Sequence, residues 1–529
     1  MRQLQLLCKP FAGHPMFWNA FALSLLFFAI TRFIPGLSWT AAVGDAHALD
    51  LGVVTHLQEN PMFYGISEEL PLLLGPRTMI RYLLLAVGSL IGSWPAAGVW
   101  ISLVATVATI AGVIRLAHTV LPLREYTLLC GVAAAGLGAF HFGWSADPAV
   151  AVGSALLIWS LYFYLSMFEN GTPHRVLISA LLIGLAAYIR IEMMLIAVPM
   201  ILYLALVGFV HPTPRVKQLP RPAMALSLFF MLALMLWPMV DQNMVQTGSS
   251  PILPGYDAQQ ISGAPGMPGA VPLGGQFLLA LKTLALDPQG LGLVFGVLWV
   301  IGLVYLHLWD VKRQTAPWAW AVIPVFWLLS LLFTSPMLGN EGFQETLRMG
   351  APMLLPLALY VPGKLTYELL QKNTFADDRR YVYWLACCAG GYLLALLPGL
   401  FLAQRGSDPF SETALIQAFE ERPALRNERL ATDRPGLFLQ AGKREVFGLR
   451  GETDWRIFTL KNADGRLDPE RTAAFMRREN IRLLHLSSLD HPLASALAAL
   501  PNPPEMVQIP TTAPHRVFAL RWPEAAERN

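Results

Sequence analysis

Long apolar runs separated by short polar stretches fill residues 1–403 of the chain. A run of about 17–25 mainly apolar residues is long enough to cross a bilayer as an α-helix. The shortest run, 79–93, is expected to lie at the membrane interface or to lead into the next span, which leaves about eleven transmembrane helices. The twelve runs lie at 16–36, 79–93, 96–118, 125–143, 148–168, 174–189, 191–210, 222–240, 289–308, 317–335, 346–362 and 381–403.

Composition supports a polytopic membrane protein surrounded by membrane lipids. Hydrophobic residues make up 55% of the chain and charged residues 14%, whereas soluble domains carry about 25% charged residues. The mean hydropathy is +0.48. A net charge of +3 is too small to indicate a nucleic-acid partner.

The distribution of basic residues predicts the orientation, because cytoplasmic loops are enriched in Lys and Arg. The N-terminus is therefore expected in the cytoplasm of a multi-pass inner-membrane protein. The loops 37–78 and 241–288 are long and poor in Lys, so both are expected on the outer, periplasmic face. The basic connections are Arg2 with Lys9, Arg115 with Arg124, Arg175, 215–221, 311–313 and 364–380.

The character of the chain changes after residue 403. Residues 404–529 are richer in charge, and short β-like runs alternate with helix-like pieces. Asp468 followed by Pro469 is typical of a helix start. We expect 1–403 to form the transmembrane domain and 404–529 a small α/β domain on the outer face, serving as a scaffold or docking module. The predicted strands lie in 436–440, 444–450, 455–460, 481–488 and 516–522.

Two acids stand where the chain is expected to leave the membrane on the outer face. Asp45 opens the amphipathic stretch 44–65, which predicts an interfacial helix with Asp50 on its wet side. Asp147 directly precedes Pro148 at the start of another span. Each acid could be a helix cap. Carboxylates that converge at a membrane surface instead suit general-base catalysis or metal coordination.

Four arginines lie in or beside the apolar runs, and we predict that they bind phosphate. A guanidinium group matches phosphate oxygens with two parallel hydrogen bonds, and ionisable residues at membrane depth are functional candidates by default. The alternatives are snorkelling to the interface or an internal ion pair between Arg190 and Glu192. The four are Arg77, Arg81, Arg190 and Arg348.

The outer loop 241–288 begins with a stretch dense in Gly and Pro, over residues 241–275. Such a composition predicts irregular backbone. The loop is either a surface linker or a lid that contacts the acceptor, and in the second case Tyr256 and Asp257 are its candidate contact residues.

The order of these features resembles the C-type (GT-C) membrane glycosyltransferases, within them the protein O-mannosyltransferase and lipid A aminoarabinose transferase group. The stretches that carry the resemblance are "GDAHALDLGVVTHLQENPMFYG", "RYLLLAVGSLIGSWPAAGVWISLVATVATIAGVIRLAHTVLP", "SADPAVAVGSALLIWSLYFYL", "LISALLIGLAAYIRIEMMLIAVPMILYLAL" and "ETLRMGAPMLLPLALYV". Together they cover roughly residues 15–400.

The resemblance implies an inverting transfer of a sugar from a polyprenyl-phosphate donor to a lipid, glycan or protein acceptor on the outer face. Asp45 matches the group's first-loop acid, as general base or acceptor ligand, and Asp147 matches its second acid. Arg77 lies close to the group's usual basic residue. No cofactor is certain; a divalent metal ion is one possibility, with Asp45 and His47 as candidate ligands, and His47 as an ordinary polar neighbour is the other.

Two other classes of function stay open at this point. A transporter or flippase for an envelope lipid or glycan would use interrupted helices near the midplane. A non-enzymatic assembly scaffold would use 404–529 to bind partners. A cavity shared by Asp45, Asp147 and at least one arginine would favour the enzyme.

Overall fold

Where they are described, the apolar runs of the N-terminal part are mainly helical. The computed structural model describes residues 15–33, 50, 54, 78–121, 123–140, 148–170, 173–210, 220, 221, 223–233, 278, 297, 298, 301, 323–332, 346–371, 383, 384, 386, 387, 390, 391, 422, 425, 428–432, 438, 446–448, 468–486, 492–509 and 516–522.

Between Thr78 and Val210 the described helices follow one another with short connections. Two short 3₁₀ segments, Ile191–Ile196 and Ala351–Leu354, interrupt the α-helical order. The α-helices are α1 (Pro15–Phe33), α2 (Thr78–Ile91), α3 (Trp94–Val120), α4 (Arg124–Phe140), α5 (Pro148–Asn170), α6 (His174–Ala187), α7 (Ala197–Val210), α8 (Ala223–Ala233), α9 (Ile323–Leu332), α10 (Leu355–Ala358) and α11 (Tyr360–Gln371).

Two described helices are long and apolar enough to cross a membrane, judged by length and composition alone. They contain the stretches Ala96–Val120 and Pro148–Phe168, of 25 and 21 residues. Shorter apolar helices accompany them within the described residues, among them α6, α8 and α9. The mostly helical class is thus confirmed, and the number of eleven spans stays a prediction.

Several of these helices carry large apolar side chains on an exposed face. On α7, Val198, Leu202 and Leu206 follow one another at intervals of four residues and are each about half exposed. On the same helix Met200 and Leu204 are fully buried. Contiguous exposed apolar surface marks a site of contact with protein or lipid, so α7 is built to be apolar on both its inner and its outer side.

Helix α5 is packed against its neighbours by specific polar contacts. The Ser160 hydroxyl lies 2.9 Å from that of Ser179 on α6, and the Trp159 indole N–H donates to the Ala108 carbonyl of α3 at 2.9 Å. The Tyr164 hydroxyl donates to the Met200 carbonyl of α7 at 2.7 Å. These bonds fix the register of α5 against three other helices.

The chain forms two compact units. One comprises residues 1–39, 74–80 and 99–404, and the other comprises 40–73, 81–98 and 405–529. The second unit therefore includes stretches from the predicted first outer loop and from α2 as well as the C-terminal region.

The C-terminal region contains a five-stranded mixed sheet of order β2-β1-β3-β5-β4. Strand β1 pairs in parallel with β2 and β3, while β5 is antiparallel to β3 and β4. Helices α12 (Pro469–Arg478) and α13 (Pro492–Ala498) connect the strands. The strands are β1 (Arg429–Thr432), β2 (Val446–Gly448), β3 (Ile481–Leu486), β4 (Glu505–Ile509) and β5 (Arg516–Arg521).

The sequence-based strand predictions are partly right. Strands β2, β3 and β5 fall inside predicted runs, and the predicted helix start is confirmed because the Asp468 carboxylate accepts the backbone N–H groups of Glu470 and Arg471. The prediction for 436–440 is wrong at Phe438, its one described residue, which is helical. The predicted strand 455–460 lies outside the described residues.

Candidate functional site

Arg190 lies at a break in the helical structure between α6 and α7. Its backbone is extended, with φ −147° and ψ 125°, and a 3₁₀ segment of six residues follows it. In a continuous α-helix, the ring of Pro199 would clash with the backbone carbonyl four residues before it. This clash explains why α7 begins only at Ala197. A mid-helix 3₁₀ stretch often marks a hinge or a sequence under strain, and here the side chain at the break is a partly buried guanidinium.

Arg348 lies just before a second break. Residues 346–350 are helical, and a 3₁₀ segment then covers Ala351–Leu354. Pro352 and Pro356 each remove a backbone N–H from the helical ladder, so the chain advances here in short helical pieces. Arg348 is partly buried, and its neighbours Leu347 and Met349 are fully buried or nearly so.

The second break packs against the beginning of α5. A Cβ atom placed on Gly153 would lie 2.7 Å from the Met349 sulfur, so the absence of a side chain at 153 is what allows the contact. Gly153 is five residues after Pro148, about 7.5 Å along the axis of an α-helix. The segment that carries Arg348 therefore lies near the N-terminal end of α5.

The first break lies at the same end of α5. Helices α5 and α6 run antiparallel, since Ser160 faces Ser179 and the Arg175 side chain donates to the Ser166 carbonyl. In antiparallel helices, each step forward along α6 faces a step backward along α5. Continuing from these two contacts, Ala187 at the end of α6 lies level with residues 152–154 of α5. Arg190 follows three residues later. Both arginine-bearing breaks thus converge on the N-terminal end of α5.

The chain position of Asp147 adds a predicted acid to this end, because Asp147 directly precedes Pro148. Asp147 itself lies outside the described residues, as do Asp45, His47, Arg77, Tyr256 and Asp257. Their predicted roles are neither supported nor contradicted by the geometry. Glu192, the suggested ion-pair partner of Arg190, has no described side chain either.

Arg81 and Asp50 form a buried ion pair. The Arg81 Nε donates to Asp50 Oδ1 at 3.0 Å, and the two side chains are 5% and 0% exposed. The prediction that Asp50 lies on the wet side of an interfacial helix is therefore wrong. Its physical reason is the partner: a guanidinium 31 residues away satisfies the carboxylate, which lets it leave water. The predicted phosphate ligand Arg81 already binds a carboxylate.

Trp327 is a second residue that the sequence reasoning missed. It is fully buried on α9, and its ring covers Gly350, two residues after Arg348. In the sequence, Trp327 is one apolar residue within an apolar run. Only its indole N–H, a donor that needs a partner when buried, distinguishes it from its neighbours. Among the described residues, no group of three or more His, Cys, Asp or Glu side chains could hold a metal ion.

Within the described residues, the chain combines exposed apolar helix faces, two broken helices with an arginine at each break and a small mixed sheet. No protein-family model matches the chain. No curated protein matches its sequence either. Similarity to solved C-type glycosyltransferases shows the fold, and it confirms the predicted resemblance at that level.

The chain is similar to ArnT from Cupriavidus metallidurans bound to undecaprenyl phosphate, with a TM-score of 0.56 at 11% identity over 95% of this chain and 97% of that one. The apo state of that ArnT gives 0.52 and 13% over the same shares. The archaeal oligosaccharyltransferase AglB from Archaeoglobus fulgidus, in complex with an inhibitory peptide and a dolichol-phosphate, gives 0.54 at 14% over 91% of this chain and 70% of that one.

Proposed function

We propose that the chain is a glycosyltransferase that moves a sugar from a polyprenyl-phosphate donor to a lipid, glycan or protein acceptor at the outer face of the inner membrane. The observation that carries the proposal is the convergence of the Arg190 and Arg348 breaks at the N-terminal end of α5. The complexes of ArnT with undecaprenyl phosphate and of AglB with a dolichol-phosphate supply the ligand class.

This end of α5 is suited to a phosphate group. The N-terminus of a helix carries a partial positive charge and favours anions, and guanidinium groups bind phosphate oxygens bidentately. When the bond between sugar and phosphate breaks, negative charge grows on the phosphate. Fixed cations placed there stabilise that charge in the transition state, which assigns Arg190 and Arg348 to the leaving group.

The acids complete the proposed reaction. The acceptor oxygen or nitrogen attacks the anomeric carbon, the bond from that carbon to the phosphate oxygen breaks, and polyprenyl phosphate leaves with the electron pair. The acceptor proton passes to a carboxylate, for which the sequence offers Asp45 first and Asp147 second. A single displacement of this kind inverts the anomeric centre. The proposal routes no step through a metal ion.

The assignment of Arg190 and Arg348 to phosphate binding can be tested by comparing arginines at opposite ends of the α5–α6 helix pair. Arg190→Gln and Arg348→Gln should each raise the concentration of undecaprenyl phosphate needed for half-maximal thermal stabilisation of the purified protein by about 10–100-fold, since hydrogen bonds to charged groups contribute about 1.5–3 kcal/mol. Arg175→Gln is the matched control, because Arg175 lies at the other end of α6, and it should leave this concentration unchanged.

The outcomes separate the arginine assignment from the proposed function. If all three variants respond to undecaprenyl phosphate like the wild type, the two arginines are not its ligands. If the wild type itself binds undecaprenyl phosphate but forms no glycosylated product from any donor in a panel of undecaprenyl-phosphate sugars, the transferase proposal is overturned.

A lipid or glycan transporter is the second candidate, because the breaks at Arg190 and at Ala351–Leu354 are also the kind of discontinuity that transporters use to bind substrate. Proteoliposomes distinguish the two. A transporter would move a fluorescent undecaprenyl phosphate across the bilayer without consuming a sugar donor, whereas the proposed enzyme releases undecaprenyl phosphate only as sugar is transferred.

A further inference from the structure

We propose that Trp327 donates its indole N–H to a phosphate oxygen of the polyprenyl-phosphate donor, an inference that rests on the proposed function and adds a binding residue to its site. Trp327 is 0% exposed. Its Nε1 atom has no hydrogen-bond partner among the described residues. Buried donors without a partner are rare in native proteins and lower their stability, so each one requires an explanation.

The position of the indole places this donor beside the Arg348 segment. A Cβ atom on Gly350 would lie 2.1 Å from Cη2, 2.7 Å from Cζ3 and 2.8 Å from Cζ2 of Trp327. The six-membered ring therefore rests directly on the Gly350 backbone, and Nε1 is two bonds away from Cζ2. Gly350 has an ordinary helical backbone, with φ −88° and ψ −19°, so the close approach of the ring is the reason for a glycine here.

Packing on α9 fixes the direction of the N–H group. Ile323 and Leu331, one turn before and one turn after Trp327, are also fully buried. The close approach of the ring to Gly350 restricts rotation of the indole about its side-chain bonds. A donor that is held in place before the ligand arrives loses little entropy on binding, and a phosphate drawn to Arg348 would supply the acceptor that the indole lacks.

Trp159 provides a matched comparison within the same unit. It is also an inward-facing tryptophan of a helix, but its Nε1 donates to the Ala108 carbonyl at 2.9 Å. Removing the N–H of Trp159 breaks an existing hydrogen bond to a neighbouring helix. Removing the N–H of Trp327 breaks none. Of the two Trp→Phe substitutions, therefore, only the one at Trp159 removes a hydrogen bond within the described residues.

The experiment measures thermal unfolding of the full-length protein in detergent over a titration with undecaprenyl phosphate. The Gly350→Ala variant, in which a methyl group collides with the indole ring, serves as the stability reference. Without ligand, Trp327→Phe should unfold at a temperature no lower than that of Gly350→Ala. We also expect the half-maximal concentration of undecaprenyl phosphate to rise about 10–100-fold, the range for a hydrogen bond to a charged group. Trp159→Phe should unfold at a lower temperature than the wild type with an unchanged half-maximal concentration.

A second arm uses undecaprenol, which has the same chain without the phosphate. Wild type and Trp327→Phe should respond to undecaprenol identically, and an equal loss with both lipids would overturn the assignment to phosphate. If Trp327→Phe fails to fold, benzothienylalanine at position 327 keeps the bicyclic shape without the N–H. Wild-type affinity for undecaprenyl phosphate in either variant overturns the inference. Absence of binding by the wild type overturns the proposed function itself.

Discussion

Purified protein with Asp45→Asn, at the first candidate for the base, should fold like the wild type and transfer sugar about 10²–10⁴ times more slowly, the range that a positioned general base contributes; Asp147→Asn is tested beside it as the second candidate. An amide has the shape of the carboxylate but cannot accept the acceptor's proton. The measurement is release of a labelled sugar from its undecaprenyl-phosphate donor into product, with donor in excess so that the turnover rate is observed.

The control for this pair is Asp377→Asn, which changes an acid in the predicted cytoplasmic connection 364–380 and should leave the rate unchanged. Binding of undecaprenyl phosphate by the two test variants serves as the check on folding. An Asp45→Asn protein that turns over at nearly the wild-type rate would remove Asp45 from the role of base. A loss confined to Asp147→Asn would transfer that role to Asp147.

Breaking the buried ion pair should have the second large effect, this time on stability. Asp50→Asn or Arg81→Gln leaves one buried charge without its partner, and such changes lower the free energy of unfolding by about 3–5 kcal/mol. Replacing both residues together by apolar side chains, as in Asp50→Leu with Arg81→Met, should recover most of that loss because no charge is then left buried. Chemical denaturation in detergent, followed by tryptophan fluorescence, measures the difference.

A surface ion pair gives the reference. Arg521 and Glu505 approach to 3.7 Å with side chains 73% and 65% exposed, and exposed pairs contribute about 0–1 kcal/mol. Glu505→Gln should therefore change the free energy of unfolding far less than Asp50→Asn does. Equal effects of the two substitutions would mean that the pair between Arg81 and Asp50 is not buried in the protein as it exists in solution.

The helices of the N-terminal part could be predicted from sequence because their signal is local. The apolar run at 96–118 becomes α3, Trp94–Val120, and the run at 148–168 becomes α5, Pro148–Asn170. A polar residue inside such a run is equally visible, and the sequence alone is enough to predict Arg190 as a phosphate ligand. In each case the residues that decide the structure lie within a few turns of one another.

The site residues that sequence reasoning missed depend on partners far away in the chain. Asp50 occupies a position in the helical pattern that predicts a solvent-exposed side chain. It is buried because it pairs with Arg81, 31 residues later in the chain. Trp327 reads as one more apolar residue, and its position over Gly350 is a fact of packing. Strands β1 and β4 were missed for a related reason, since four or five residues with little apolar alternation give a weak local pattern.

The strand order has a consequence for how the C-terminal region is made. Strand β5 is last in sequence but lies inside the sheet, between β3 and β4. During synthesis, β3 and β4 lack their common neighbour until residues 516–521 have emerged. Shortening the chain before Arg516 would leave both strands with open edges, which invite pairing with other chains. Correct assembly of the sheet therefore depends on completed synthesis through β5, and truncated chains should be the ones that aggregate.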